Sequence, residues 1–332
     1  MGQPHISICI PAYKAERFLA DTLASVAAQT FSDWELIVTE DGSSDRTREI
    51  VQRFAATVAQ RVIYNRHETN RGLPIARNTG IAATTGEWIA FIDSDDLWKP
   101  EHLQSLVATA RGGDYDLVFA GTLPFDDVTG KQLQPCLPTT EDLQDLPVAL
   151  YTGRLSVLPS SAMVRRRAFD RYGMISTDFP HANDTEYWLR ILRGGGRAGY
   201  TGSATCLYRK HASAMSLRAS RILTNTAQIC ERYGDWPSIP RSIARRRTGN
   251  LYRYAGRATL PTDTRAARAL LLRSLRVDPW RIQTWASLVF AWIKGAQRSL
   301  GSRAISAGKK SPSGIETEAK AAPRVAAPSG TR

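Results

Sequence analysis

Short apolar runs alternate with amphipathic helical patterns through the first 120 residues, and that alternation leaves the chain few folds to choose from. Ile6–Ile10 reads as a strand, after which Phe18, Leu19, Leu23, Val26 and Ala27 recur at helical spacing. Trp34–Thr39, Val62–Tyr64, Trp88–Ile92 and Asp116–Ala120 read as further strands. Between them, Ile50, Val51, Phe54, Ala55 and Val58 mark one helix face, Ile75 to Ala83 another, and Leu103, Leu106, Val107 and Ala110 a third. Parallel strands need crossovers, which helices at this spacing supply. The expected class is therefore α/β, a mostly parallel sheet flanked by helices.

In such open sheets ligands bind beyond the carboxyl ends of the strands. The polar clusters sit at those ends: Pro11-Ala12-Tyr13 after the first strand, Glu40 to Asp45 after the second, and Asp93-Ser94-Asp95-Asp96 after the fourth. They are predicted to meet in one crevice. Asp93 and Asp95, two apart in an extended segment, project to the same side and can share a cation. Oxygen ligation of this kind favours Mg²⁺ or Mn²⁺, ions that leave positions for phosphate oxygens. Helix capping is the competing use of such residues, and it is the reading for Asp96, because Leu97-Trp98-Lys99-Pro100 follows and proline suits a first helical turn.

The chain's 332 residues suffice for one large domain with an appended smaller unit. Its net charge of +13 is unevenly spread: residues 1–208 hold 20 Lys+Arg and 25 Asp+Glu, whereas 209–332 hold 24 and 6. The basic part seeks a polyanion, either nucleic acid or an anionic membrane face. Cys9, Cys136, Cys206 and Cys230 form no CxxC pair, which argues against a zinc ribbon and fits a reduced, cytoplasmic compartment. The apolar run after Met1–His5 is too short for a signal peptide, and no run is long enough to span a bilayer.

Residues 121–160, punctuated by prolines, read as loops with short elements. Trp188, Ile191 and Leu192 form a helix face that Gly194-Gly195-Gly196 ends. Beyond about residue 216 the pattern is helical, with Ala266 to Val277 and Trp280 to Leu300 separated by Asp278-Pro279. The tail 301–332, rich in Ala, Ser, Gly, Pro and Lys, is expected to be disordered.

Neither a GxGxxG turn nor a Walker loop follows the first strand. The crevice offers instead Tyr13, able to stack on a base or simply to lie over a helix end, and Asp41, able to accept from a base N–H or to form the turn before Gly42. Together, Ser7–Tyr13, Trp34–Val38, Asp41–Thr47, Asn70-Arg71-Gly72 with Ala76-Arg77-Asn78, and Phe91–Asp96 resemble the family 2 glycosyltransferases, nucleotide-sugar-dependent enzymes with a GT-A fold. Asn183–Arg190 looks like that family's acidic helix start, and Tyr208-Arg209-Lys210-His211 with Ser213 and Ser216 like its closing strand and loop.

The resemblance implies a catalytic domain over 1–216, its nucleotide-sugar half ending near 120 and its acceptor half covering 121–216; the helical pattern beyond it reads as an extension over 217–300. It also implies a uracil-type base near Pro11, Tyr13 and Asp41, and a diphosphate held by Arg77, Asp93 and Ser94 through a metal on Asp95, Asp93 and His211. Asp184 would be the general base, although Asn183-x-x-Glu186 also reads as a capping box. Glu40 departs from the family's usual Asp, and Asn183 from its usual Glu.

The expected function is metal-dependent, inverting transfer from a UDP-sugar to a saccharide or lipid-linked acceptor in cell-surface polysaccharide assembly, at the cytoplasmic face of the membrane. The alternative is a basic protein that binds nucleic acid or a membrane surface, with a non-catalytic nucleotide-binding sheet. Nucleic acid is the weaker partner, since no nucleic-acid fold signature accompanies Arg245-Arg246-Arg247. The final helix, with Trp285, Leu288, Val289, Trp292 and Ile293 near Arg281 and Lys294, suits either a lipid surface or packing on the helix before it.

Overall fold

A computed structural model describes residues 5–212 and 219–307. Ser213, Ser216 and the tail from residue 308 lie outside the described residues. Strands β1 (Ile6–Ala12), β2 (Trp34–Glu40), β3 (Val62–Arg66) and β4 (Trp88–Phe91) form the parallel half of an eight-stranded sheet. Helices α1 (Leu19–Ala27), α2 (Thr47–Ala55) and α3 (Leu73–Ala82) are their crossovers. Every residue of β1, β2 and β4 is buried, as continuous apolar runs covered on both faces require.

The second half is mixed. A two-residue strand, β5 (Leu97–Trp98), precedes α4 (His102–Arg111); β6 (Leu117–Asp126), β7 (Ala162–Arg165) and β8 (Ala198–Lys210) complete the order β3-β2-β1-β4-β7-β6-β8-β5. Strand β7 is antiparallel to both β4 and β6, so the strand predicted at Asp116–Ala120 is not the neighbour of β4. It is also longer than expected, reaching Asp126 alongside β8. The 121–160 stretch contains α5 (Thr140–Gln144), closed by a Thr139/Asp142 capping box, and α6 (Leu146–Thr152). Helix α7 (Arg166–Tyr172) leads to α8 (Asn183–Arg193).

Two cores lie on opposite faces of the sheet. One gathers Ile6, Ile8 and Ile10 with Leu19, Val51, Leu103 and Leu106; the other gathers Cys9, Ile37, Phe91, Tyr187 and Trp188. Helices α9 (Ala219–Tyr233) and α10 (Arg241–Thr259) feed Cys230, Tyr233, Leu251 and Tyr252 into this second core. Helices α11 (Thr264–Val277) and α12 (Ile282–Ala307) share a smaller cluster of Ala267, Leu271, Leu275, Leu288 and Ala291, an antiparallel pairing that their short connection favours. The last helix continues to Ala307, past the predicted end at Leu300.

A buried carboxylate ties the far end of the parallel half together. Glu35 Oε1 accepts from Ser7 Oγ (2.6 Å), Thr85 N–H (2.6 Å) and Thr85 Oγ1 (2.8 Å), and Oε2 from Arg61 (3.1 Å). Burial alone would raise its pKa, but these donors outweigh it and hold the carboxyl below its ordinary range. The stability this adds is present above the unfolded-state pKa and is lost as pH falls through the folded one. Glu35→Ala is expected to lower unfolding free energy by about 2–3 kcal/mol at neutral pH in urea titration, with a smaller loss in acid.

Candidate active site

Parallel register brings the carboxyl ends of β1, β2 and β4 to one edge: Ala12 pairs with Glu40, and Cys9 with Phe91. The three polar clusters do meet there. An open cleft of about 550 Å³ lies between the loops after β1 and β2, lined by Lys14, Arg17, Ser44, Asp45 and Arg46. Tyr13, the residue before Lys14, is 47% exposed, with Lys14 Nζ 5.4 Å from its ring centroid; Pro11 is buried within β1.

Asp41 is buried and works within the protein. Its carboxylate accepts from Arg71 N–H (2.8 Å) and Gly72 N–H (2.8 Å), with His67 Nδ1 at 2.7 Å. That leaves about one of a carboxylate's roughly four acceptor positions for a ligand. The loop it holds crosses Gly42, whose φ is +69° and whose added Cβ would lie 2.4 Å from the Thr69 carbonyl carbon. Only glycine fits both conditions. Glu40, beneath it, takes Ser43 Oγ (2.8 Å) and the Tyr64 hydroxyl.

The acidic turn after β4 splits its three carboxylates among different partners. Asp93 Oδ1 accepts from Arg77 Nη2 at 2.6 Å. Asp95 Oδ2 lies 3.0 Å from His211 Nε2, and the His211 ring packs 4.7 Å from Phe18. Burial, and next the neighbouring Asp93, push the Asp95 carboxyl above its ordinary range in spite of His211. Ser94, half-buried, contributes its carbonyl to Thr22 Oγ1 at 3.1 Å.

Asp96 caps no helix. It is fully buried, accepts from Ser160 Oγ (2.5 Å) and Arg209 N–H (3.0 Å), and is followed by β5; α4 starts only at His102, with Glu101 at its N-cap. Ser160 Oγ also accepts from the Asp93 N–H at 3.0 Å, so one hydroxyl pins both ends of the turn. Arg209 fixes the turn from the other side. Its Nε donates to the Asp95 carbonyl (2.8 Å), while its amino groups reach Asp127 (2.8 Å) and Asp21 (3.2 Å).

Arg77 joins this turn to α8. It is buried, not a solvated helix-face residue: Nη2 holds Asp93, and Nη1 donates to Asn183 Oδ1 at 2.8 Å. The Asn183/Glu186 capping box therefore does not form. Asn183 is the first helical residue after the N-cap Ala182, and Glu186 instead accepts from Tyr233 (2.8 Å) and Arg190 (2.9 Å). Asp184 follows Asn183 and lies close enough to Arg77 and Asp93 to feel both charges, its carboxyl raised by burial and drawn back by the nearby Arg77 charge. Arg77→Ala removes a donor from both Asp93 and Asn183; an unfolding free energy about 2–3 kcal/mol lower is expected by urea titration, and Arg77→Lys should recover part of it.

Among the described residues no three His, Cys, Asp or Glu side chains form a ready metal cage. The donors at the turn suit a cation that a ligand helps to hold. Asp95 is partly exposed, its carboxyl disfavoured as the charged form by burial and Asp93; its oxygens suit Mn²⁺ and Mg²⁺, and the neighbouring imidazole suits Mn²⁺ better than Mg²⁺.

Residues 7–173 match the family described as Glycosyl transferase family 2. The UDP-Glc:alpha-D-GlcNAc-diphosphoundecaprenol beta-1,3-glucosyltransferase WfgD of Escherichia coli is 29% identical over 190 residues, 57% of this chain and 70% of that protein. Three glycosyltransferases of Bacillus subtilis also match, and the chain spans 66%, 63% and 50% of their lengths. Among solved structures, S. aureus TarS 1-349 in complex with UDP-GlcNAc superposes with a TM-score of 0.63 at 16% identity, over 89% of this chain and 91% of that one. A mannosyltransferase of Pyrobaculum calidifontis, PcManGT, in complex with GDP-Man and Mn²⁺, gives 0.58 at 19% identity, over 89% and 87%. Identities this low establish a shared fold, and it is the GT-A-like α/β fold expected from the sequence.

Proposed function

Because the chain belongs to Glycosyl transferase family 2, we propose that it moves a sugar from a uridine diphosphate donor to a saccharide on a lipid carrier, with inversion and with a divalent ion. The observation that carries this reading is Arg77, which ties Asp93 of the acidic turn to Asn183, the residue before Asp184. Donor-side and acceptor-side groups then share one rigid frame. Arg77 acts as a positioning residue, its two amino groups already committed to protein.

The reaction is one in-line displacement at the anomeric carbon. The acceptor oxygen bonds to that carbon, its proton passes to Asp184, and the bond to the diphosphate breaks with its electron pair leaving on the nucleotide. Asp184 suits a base because burial has made its carboxylate more basic than a solvated one. Asp95 and His211, with Asp93 beside them, would hold Mn²⁺ or Mg²⁺, and the bound ion would neutralise charge growing on the departing diphosphate. Tyr13 offers a face for the base, and Asp41, through the loop it fixes, the floor beneath it.

WfgD supports a lipid-linked acceptor by its stated activity, and TarS and PcManGT support nucleotide-sugar donors by the ligands in their complexes. No helix among the described residues is long and apolar enough to cross a membrane. A panel of nucleotide sugars, assayed for transfer and hydrolysis with and without Mn²⁺, tests the proposal. Turnover of one donor that depends on the ion is expected; no turnover with any donor would refute it.

A further inference from the structure

We propose that the outward face of α12 seats this protein on an anionic bilayer surface. The proposal deepens the lipid-linked reading above and rests on it only for location. Helix α12 carries two apolar stripes. Thr284, Leu288 and Ala291 are buried against α11 and its neighbours, at the i, i+4, i+7 spacing of one helix face. Ile282, Trp285, Val289, Trp292 and Ile293 recur at the same kind of spacing on an adjoining face turned away from α11, and they are between 51% and 82% exposed. An apolar face that stays exposed beside a packed one needs cover of its own, and a patch of this kind marks an interaction surface.

The charge around the patch says what covers it. Residues 219–307 hold 16 Lys+Arg against 4 Asp+Glu. At the patch itself the Arg268 guanidinium lies 4.3 Å from the Trp292 ring centroid, and Lys294 Nζ 5.3 Å from that of Phe290. A second copy would press one strongly cationic unit on another. Nucleic acid would match the cations and leave tryptophan, isoleucine and valine without an apolar partner. The segment 308–332 offers two large apolar residues, Ile315 and Val325, too few to cover the stripe. Anionic lipid satisfies both features, with indole and aliphatic groups at the acyl boundary and Lys and Arg at the headgroups.

The test is co-flotation of the full chain with vesicles of phosphatidylcholine alone and of phosphatidylcholine mixed equally with phosphatidylglycerol. Wild type is expected to float with the mixed vesicles and far less with the neutral ones. Trp285→Ser/Trp292→Ser/Ile293→Ser should weaken that partitioning at least about a hundredfold, and Arg268→Glu/Lys294→Glu about tenfold or more. The triple variant alters exposed positions and the charge reversal one exposed and one half-buried position, none of them in the crevice, so thermal unfolding and Mn²⁺-dependent UDP binding should match wild type. Those controls separate this proposal from the transfer chemistry: loss of UDP binding in every form would count against the chemistry alone. Wild type that stays with the soluble fraction, or a triple variant that floats equally well, overturns the proposal. So would a concentration-dependent dimer, or binding to a DNA duplex, that the same three substitutions abolish.

Discussion

Asp95→Ala is expected to abolish the ion-dependent part of donor binding, lowering affinity for UDP in the presence of Mn²⁺ by at least about a hundredfold, close to 3 kcal/mol. Affinity measured in chelator should change little. The expectation follows from a carboxylate that burial and Asp93 have pushed toward protonation and that His211 partly compensates. Ionising it without a cation is costly, so its deletion should not destabilise the metal-free fold. In thermal unfolding, Mn²⁺ should add to the Tm rise that UDP gives wild type and add nothing to that of Asp95→Ala, because a ligand stabilises only the state that binds it. If Asp95→Ala bound Mn²⁺ and UDP like wild type, the ion would have to be held elsewhere.

Asp184→Asn should separate chemistry from binding. The amide preserves shape and loses the ability to take a proton, so kcat is expected to fall on the order of a thousandfold or more, while UDP affinity stays within about twofold. The pH profile adds a second readout. A raised carboxyl pKa means that, as pH falls, Asp184 is protonated and loses its function at a higher pH than a solvated aspartate would. The acid limb of kcat/KM should lie above the ordinary carboxylate range in wild type and be missing from the residual activity of Asp184→Asn.

The parallel half was legible in the sequence because β1, β2 and β4 are buried on both faces, and such strands must be written as unbroken apolar runs. Their polar ends were legible too, since an open sheet delivers ligands to that edge. Four-residue β7 was not, because Ala162–Arg165 carries no periodicity, and of β8 only the closing Tyr208–Lys210 was read, its exposed middle around Gly202 and Ser203 hiding the rest. Asp96 misled for a physical reason: a carboxylate before Leu-Trp-Lys-Pro serves equally well as a cap or as a buried acceptor. What decides between them is Ser160, 64 residues away, and Arg209, farther still. The same holds for Asn183, whose capping pattern is local while its partner Arg77 is 106 residues distant. Local pattern finds the groups that carry charge into the crevice, and tertiary partners decide which of them remain free to act.

The central claim is that the acidic turn holds a divalent ion against a departing nucleoside diphosphate. Anomalous diffraction at the manganese edge, from a crystal of this protein soaked with UDP and Mn²⁺, tests it most directly. A single peak bonded to the Asp95 carboxylate and to diphosphate oxygens is the expected result. UDP bound in the crevice with no peak at Asp95, or a peak with ligands from some other part of the chain, would contradict it.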